Sequence, residues 1–418
     1  MTERLTIRNF AGLDDIDIEL GRINIFIGPQ ASGKSICVKC LYFFKGFINQ
    51  LLAWAVQPDN SYSLDELNKQ RFNSLFDLND NTGHFTVNYQ FGDFFITVQG
   101  EGASVHITYA SYYETLFIQA RKALEQSESH DPTIASLLDL SIQQRFQKEA
   151  ADKMGALSSG TQIFVPASRA LYSLMPPTAS LGGQFSTDAF LSEFGRFYQY
   201  MRRDFPFFHE LQSQRVKELS GRILRAKLSL KKNQDEYLIQ DNGHRVRLIN
   251  ASSGQQEVIP LVLALEYLAW SSKREIIGYI EEPEAHLHPE GQRDIVNLMA
   301  AVYNQREAPL QLLLTTHTPY LLSSFNNLIY AGQLDKQLED NDIIGRKKLY
   351  ATVPKELHMQ LADFRVYGIE NGKATSLIDE EFGLLMAQSL DSVSDIIADQ
   401  FGALMDLDPA NKSSPAEQ

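Results

Sequence analysis

The stretch Gly28-Pro29-Gln30-Ala31-Ser32-Gly33-Lys34-Ser35 decides the fold of this chain. It fits the phosphate-loop pattern, in which a glycine and four further residues precede Gly-Lys-Ser. The apolar run at residues 23–27 predicts a buried strand before the loop, and residues 36–42 predict a helix after it. A glycine loop between a strand and a helix directs backbone N–H groups and a helix N-terminus towards one point, which favours phosphate binding.

The loop residues have distinct expected roles. Lys34 would reach the β- and γ-phosphates of a nucleoside triphosphate, and the Ser35 hydroxyl would ligate Mg²⁺. The sequence therefore predicts ATP and Mg²⁺ as cofactors. The helix after the loop is expected to run from Gly33 to about Val56.

The composition narrows the protein class. The chain has 418 residues, 44% of them hydrophobic and 22% charged, as is typical of a globular protein with a sizeable core. No apolar run approaches the roughly 20 residues that span a bilayer, and the N-terminus lacks the pattern of a secretion signal. With only two cysteines, we expect a cytoplasmic protein without membrane contact.

Two clusters have a metal or redox site as their alternative interpretation. The spacing of Cys37 and Cys40 is C-x-x-C, but both fall on the helix after the phosphate loop, and core positions are the favoured interpretation. The second cluster consists of Glu284, His286, His288 and Glu290 and could converge on zinc. The favoured interpretation is that these residues lie on a loop after an acidic strand.

The charge distribution bears on nucleic-acid binding. The net charge of −14 disfavours wholesale coating of nucleic acid. Residues 202–247 nevertheless hold eleven Lys and Arg against six acids. This stretch could bind nucleic acid or an acidic partner, and a solvated face on helices and on strands at 222–249 is the favoured interpretation.

Three further segments suit a nucleotide-hydrolysing site. An apolar strand ends in Glu281, which could hold Mg²⁺, and Glu282, which could polarise the attacking water. A helix opens with Ser252-Ser253-Gly254, and the spacing from Ser253 to Gln256 predicts a capping box and hence an N-terminus that attracts phosphate. A third strand, residues 312–316, ends at His317, which could hydrogen-bond a γ-phosphate.

The order of these segments resembles that of the ABC-type ATPases, in which the Ser-Gly helix is the signature motif. Residues 6–10 resemble the first strand of the RecF and SMC branch. Three stretches are similar to the OLD-like ATPases of bacterial defence systems: Phe164–Arg169, Glu281–Pro289 and Thr315–Leu322. The Q-loop glutamine of the family has no assigned counterpart, and residues 165–169 are the candidate for that part of the site.

The resemblance implies an α/β fold, an ABC-type ATPase head. A phosphate-loop core sheet has flanking helices and an antiparallel β subdomain, and a mainly helical lobe is inserted. The expected parts are residues 1–41 (core with phosphate loop), 42–158 (inserted lobe of helices plus a small β meander), 159–330 (core with signature, acidic strand and switch histidine), 331–410 (C-terminal α/β extension) and 411–418 (disordered tail).

The resemblance also implies a shared active site. In that family two heads sandwich ATP, so that the phosphate loop of one protomer faces the signature of the other. Glu282 and His317 would be catalytic, and Ser35 and Glu281 would hold the metal. ATP would be bound by Gly28, Pro29, Gln30, Ala31, Ser32, Gly33, Lys34, Ser35, Ser252, Ser253 and Gly254. The expected partner is then a second copy of the chain, in a head-to-head dimer or a higher oligomer.

The sequence also bears on the biological role. OLD nucleases carry a TOPRIM domain that needs an Asp-x-Asp after a strand, and the triplet Asp406-Leu407-Asp408 lies beside Pro409 with no strand predicted before it. The plan resembles the ATPase subunits of two-gene anti-phage systems, such as AriA of PARIS and PtuA of Septu. This similarity implies a sensor and scaffold that controls a separate toxic nuclease effector, with a phage-derived trigger. The alternative is a RecF-like repair ATPase that clamps DNA directly, and whether nucleic acid is bound stays open.

Overall fold

The computed structural model describes residues 2–57, 62–76, 78, 83–102, 104–127, 132–173, 188–230, 236–339, 341–387 and 400. The expected disordered tail and the triplet Asp406–Asp408 lie outside these residues. The strands are β1 (Glu3–Phe10), β2 (Leu13–Glu19), β3 (Ile23–Ile27), β4 (Phe85–Phe91), β5 (Phe94–Glu101), β6 (Ser104–Tyr109), β7 (Thr161–Val165), β8 (Lys227–Ser229), β9 (Tyr237–Ile239), β10 (Arg245–Arg247), β11 (Ile276–Glu281), β12 (Leu310–Thr316), β13 (Phe364–Glu370), β14 (Lys373–Ser376), β15 (Ile378–Asp379) and β16 (Leu384–Leu385).

The helices occur between groups of these strands. They are α1 (Lys34–Lys45), α2 (Phe47–Ala55), α3 (Leu64–Leu75), α4 (Ser111–Glu125), α5 (Pro132–Met154), α6 (Ala170–Ser173), α7 (Ala189–Glu210), α8 (Gln214–Leu224), α9 (Ser253–Trp270), α10 (Pro289–Asn304), α11 (Pro319–Gln337) and α12 (Ile343–Thr352). Short 3₁₀ turns occur at Ala156–Ser159, Leu248–Asn250, Lys355–Leu357 and Leu361–Asp363. In the described part of the chain no single helix is long and apolar enough to cross a membrane, although α1 and α2 together, bent by 42°, reach that length and composition.

One sheet of eleven strands organises the described residues, in the order β6-β5-β4-β1-β2-β14-β13-β3-β12-β11-β7. The strands β13, β3, β12, β11 and β7 run parallel, whereas β6, β5, β4, β1 and β2 pair antiparallel. Every residue of β3 is buried, as expected where helices cover both faces of a parallel sheet. The predicted α/β class, with a core sheet, flanking helices and an antiparallel β part, is confirmed.

The meander expected within residues 42–158 is continuous with the main sheet. Its first strand β4 pairs with β1, with Ile7 opposite Val87, and β5 and β6 extend the sheet outwards. Helices α2, α4 and α5 pack against one another beside it. This segment therefore shares its hydrogen-bonded framework with the core.

The single helix predicted from Gly33 to Val56 is wrong, because the structure breaks it at Gly46 into α1 and α2. A Cβ atom at Gly46 would lie 2.2 Å from Oε1 of Gln162. The break thus brings the backbone against β7, a contact that a larger residue would prevent. Likewise the strands predicted from residue 222 begin only at Lys227, since residues 222–224 complete α8, which ends at Arg225 in the left-handed conformation.

The C-terminal segment contributes a strand to the centre of the sheet. Strand β13 lies beside β3 in parallel, with Val366 opposite Ile25 and Gly368 opposite Ile27. The hairpin from β13 to β14 then reaches β2, where Gly372 accepts hydrogen bonds from the backbone N–H groups of Asp14 and Asp15. The strand that carries the phosphate loop is therefore flanked on one side by residues from the far end of the chain.

Candidate functional site

The predicted site residues other than those of the signature motif lie at the carboxyl edge of the parallel strands. The register places Thr316 opposite Ile27 and Glu281 opposite Thr315, so that β3, β12 and β11 end side by side. The phosphate loop follows β3, His317 follows β12 and Glu282 follows β11. Ligands of open α/β sheets bind in the crevice outside this edge.

The phosphate loop, residues 28–35, approaches β13 closely. A Cβ atom at Gly28 would lie 2.2 Å from the carbonyl oxygen of Ile369, so only glycine fits there. Gly33 adopts the left-handed conformation with φ of 95°, and α1 begins at the next residue. Ser35 is exposed on the first turn of this helix, where a helix N-terminus favours phosphate.

The ammonium group of Lys34 lies against the backbone of the phosphate loop. Its Nζ donates to the carbonyl oxygens of Gly28, at 2.9 Å, and Pro29, at 2.6 Å. The side chain is only 5% exposed. Burial lowers the pKa of Lys34, since desolvation disfavours the charged form, and the carboxylates of Glu282 and Glu284 oppose that shift.

Glu282 and His317 are joined across two strand ends. Nε2 of His317 lies 2.5 Å from Oε1 of Glu282, and its Nδ1 lies 3.3 Å from Nζ of Lys34. Nδ1 of His317 also lies 3.2 Å from the carbonyl oxygen of Gly28, so the imidazole contacts both the phosphate loop and Glu282. Glu282 has a φ of 44°, an uncommon conformation for a residue other than glycine that often marks functional sites.

Glu281 has the properties of a magnesium ligand. Its carboxylate is buried, with Oε2 accepting a hydrogen bond of 3.2 Å from the backbone N–H of Ala167. Its Oε1 is buried without a hydrogen-bond partner in the described part of the chain. Because an orphaned buried oxygen is costly and Mg²⁺ prefers oxygen ligands, the residues fit this ion.

These strand-end residues lie around the phosphate loop, a segment that is typical of nucleotide-binding proteins. Residues 23–323 match the family described as "AAA domain, putative AbiEii toxin, Type IV TA system". The chain belongs to this AAA family. The match includes the phosphate loop, the acidic strand and His317, and it identifies an AAA-type ATPase domain.

Among curated relatives, the AAA-family chain is similar to the OLD nuclease of Thermus scotoductus (strain ATCC 700910 / SA-01), with 27% identity over 107 residues. That match covers 26% of this chain and 20% of the relative, so the chain spans about a fifth of the protein that it matches. Among solved structures, it is similar to an SMC head bound to the C-winged helix domain of ScpA, with a TM-score of 0.45, 13% identity and coverage of 91% and 98%. The SMC head domain from Thermotoga maritima has a TM-score of 0.37, 12% identity and coverage of 91% and 99%.

The predicted signature residues lie apart from the phosphate loop. No hydrogen bond within the described ranges joins Ser252, Ser253 or Gly254 to residues 28–35. Instead, a Cβ atom at Gly254 would lie 3.3 Å from the carbonyl oxygen of His286, which follows β11. Ser252 and Ser253 are exposed at this end of α9.

The capping box of α9 falls one residue earlier than the spacing predicts. Ser252 is the N-cap, and its Oγ accepts from the N–H of Gln255 while Oε1 of Gln255 accepts from the N–H of Ser252. The predicted pair of Ser253 and Gln256 is wrong, because Gln256 donates to the carbonyl oxygens of Leu248 and Ile249. Ser253 is thereby the first residue of the helix, with its backbone N–H free of the capping role.

Two further residues contribute contacts to the site that the sequence did not predict. Glu284 accepts hydrogen bonds through Oε1 from the Thr316 hydroxyl, at 2.5 Å, and the backbone N–H of His317, at 3.0 Å. Arg169 is fully buried and binds the carbonyl oxygens of Glu281 and Glu282. Both lie in the stretches that resemble OLD-like ATPases, but a buried arginine is rare, and no local pattern identifies its partners.

Proposed function

We propose that this AAA-family protein hydrolyses ATP with Mg²⁺ at sites shared between two subunits. The proposal is supported above all by the chain of contacts from Lys34 through His317 to Glu282, which links the phosphate loop to a candidate general base. Glu282 would accept the proton of the attacking water, and His317 would fix the orientation of its carboxylate. Ser35 and Glu281 would hold Mg²⁺, which when bound neutralises phosphate charge.

The shared site is supported by the position of α9. Its N-terminus is exposed and, among the described residues, has no hydrogen bond to the protomer's own phosphate loop, yet it has the backbone donors that bind phosphate. A second copy would bring Ser252, Ser253 and Gly254 to that loop. The expected assembly is therefore a head-to-head dimer or a higher oligomer of it.

The biological role that we propose is the sensor and scaffold subunit of an anti-phage complex. ATP-dependent assembly would hold or release a separate toxic nuclease, in response to a phage-derived trigger. The match to the OLD nuclease covers only a fifth of that protein. This supports an ATPase module that works together with a nuclease on a separate chain. Affinity purification with the product of the neighbouring gene tests this role, and a protein that copurifies with no nuclease or other effector would contradict it.

The nucleotide proposal is tested with Lys34→Ala. Removal of the ammonium should weaken ATP binding by about 10- to 100-fold, because hydrogen bonds between charged groups contribute more free energy than those between neutral groups. Lys39→Ala is the matched control, since Lys39 lies on the same helix with its ammonium 3.8 Å from Asp188. Calorimetric affinities that are equal in both variants would reject the phosphate-loop assignment.

The alternative, a RecF-like ATPase that clamps DNA, depends on the basic stretch at 202–247. Several of its cations are engaged: Arg202 pairs with Glu236, Arg203 with Asp204, and Arg222 with Asp294. Paired cations release fewer counterions from DNA, so we expect at most weak, salt-sensitive and sequence-independent binding. Tight duplex binding at physiological salt that is lost on charge reversal of Arg222 and Arg225 would favour the repair function.

A further inference from the structure

Arg169 is the largest fully buried charged side chain in the described part of the molecule, and it lies directly behind the catalytic edge. It follows β7, next to β11 in the sheet. Its NH1 donates to the carbonyl oxygen of Glu281 at 2.7 Å, and its NH2 donates to that of Glu282 at 2.9 Å. Its Nε donates to the carbonyl oxygen of Glu257 at 3.2 Å.

The partners of Arg169 are unusual for a buried guanidinium. Buried arginines are commonly paired with a carboxylate, but the nearest carboxylate oxygen here is Oε1 of Glu257, 4.0 Å from Nε. The direct hydrogen bonds instead go to backbone carbonyl oxygens on three segments. Burial lowers the pKa of Arg169. The planar guanidinium therefore fixes the relative positions of these segments through rigid, directional donors.

Two of those segments belong to different halves of the proposed shared site. Glu257 lies near the start of α9, the helix whose N-terminus is proposed to meet the nucleotide of a neighbouring subunit. Glu282 is the candidate base for the protomer's own nucleotide, and its φ of 44° turns the backbone sharply after β11. The guanidinium holds the carbonyl oxygen of this strained residue directly.

We propose that Arg169 is a positioning residue that couples the start of α9 to the orientation of Glu282. A displacement of α9 when a neighbour's nucleotide binds would be transmitted through the guanidinium to the backbone of the base. Hydrolysis at one site would thereby depend on occupancy of the adjoining one. This inference rests on the proposed function, because it requires Glu282 to act as the base.

The test uses Arg169→Lys, which keeps the charge but cannot bind all these carbonyl oxygens at once. Arg306→Lys is the matched control. Arg306 joins the same two elements at their other ends, since its guanidinium donates to the carbonyl oxygens of Leu268 in α9 and Arg274 before β11. Each variant is assayed as the full chain for ATP affinity and kcat, at temperatures below its own Tm.

Arg169→Lys should lower kcat by about 10²-fold, the scale expected when a catalytic group is displaced by about 1 Å. Its ATP affinity should stay within about threefold of wild type, because the phosphate loop is intact. Arg306→Lys should keep its kcat. In the Glu282→Gln background, Arg169→Lys should cause no further loss, because a residue that acts through Glu282 has nothing left to position.

Four results would overturn the inference: wild-type kcat in Arg169→Lys, an equal loss in Arg306→Lys, a full additional loss in the Glu282→Gln background, or failure of Arg169→Lys alone to fold. The last would assign Arg169 to the maintenance of the fold. Failure of the proposed function is distinguished separately, since it would appear as full activity in the single variants Lys34→Ala and Glu282→Gln.

Discussion

Individual carboxylates at the sheet edge have different environments. Glu282 is partly exposed, as is required of a base that takes a proton from water, and its carboxylate contacts His317. Glu281 and Glu284 are buried, with 8% and 7% of their surfaces exposed. The roles proposed for these three acids accordingly differ: metal ligand for Glu281, base for Glu282, and support of the histidine loop for Glu284.

Glu282→Gln should bind ATP normally but lower kcat by about 10²–10⁴-fold, the usual contribution of a general base. The amide keeps the shape of the side chain and removes its basicity. Steady-state turnover and nucleotide affinity are the measurements, with Glu290→Gln on the exposed first turn of α10 as the control. Turnover close to wild type in Glu282→Gln would place the base elsewhere.

Glu284→Gln should change how stability depends on pH. Burial raises the pKa of Glu284 above its usual value, so the folded state binds the proton more tightly than the unfolded state does. The wild-type free energy of unfolding therefore decreases as pH rises from the ordinary Glu range through the raised pKa. Glu284→Gln has no titrating carboxyl at this position, so this decrease does not occur in the variant. Its free energy of unfolding relative to wild type should therefore increase as pH rises over the same range.

Denaturant unfolding of both proteins at several pH values measures this difference. The amide can still accept from the N–H of His317, so the fold should be retained. A difference in unfolding free energy that is constant with pH would show that Glu284 does not titrate above its usual range.

At the scale of elements, the phosphate loop depends on the strand beside it. Because the carbonyl oxygen of Ile369 occupies the space of a Cβ at Gly28, the end of β13 restricts the path of the loop. Helix α1 begins only where Gly33 reverses the backbone. The anion site is thus formed by the meeting of β3, α1 and β13.

Gly28→Ala should weaken ATP binding by about tenfold, as an overpacked contact costs on the order of 1–3 kcal/mol and displaces the loop from β13. The control is Gly221→Ala in α8, where the nearest atom to an added Cβ is 4.0 Å away. Isothermal titration with ATP, together with thermal unfolding, compares the two. If Gly28→Ala binds ATP as tightly as Gly221→Ala does, β13 does not restrain the loop.

At the scale of the whole molecule, the two halves of the proposed site are associated with different strands of the sheet. The exposed start of α9 contacts the loop after β11, whereas the phosphate loop lies beyond β12 at the end of β3. If the site is shared as proposed, the enzyme should work only as an assembly, because each chain would supply one half of each site.

Mixing two inactive variants tests that arrangement. Lys34→Ala lacks its phosphate grip, and Ser253→Arg carries a bulky side chain at the helix start, so each alone should be inactive. Co-expressed as mixed oligomers, they form some interfaces that join the intact loop of one chain to the intact helix of the other. Partial recovery of ATPase activity is expected there, once each variant is shown to fold and assemble.

Two outcomes contradict the shared site in different ways. Full activity of Ser253→Arg by itself would remove this helix from catalysis. Verified mixed oligomers without any activity would mean that the site is not shared in this way, or that hydrolysis requires every site to be intact.

The sequence by itself determined the α/β class, the phosphate loop and the order of the strand-end residues. Those features are local: Lys34 follows its glycine loop directly, and Glu281, Glu282 and His317 end buried strands, so parallel pairing brings them to one edge. The match over residues 23–323 bears out the ATPase prediction.

Only the tertiary structure decided which distant segments complete that edge. Strand β13 lies beside β3, and Arg169 reaches the carbonyl oxygens of Glu257, Glu281 and Glu282, across sequence separations that no periodicity records. The break at Gly46 likewise depends on a distant contact with Gln162, whereas the cap at Ser252 is a local pair with Gln255. Local pattern selects the type of each element, whereas close packing between elements selects its end and its neighbours.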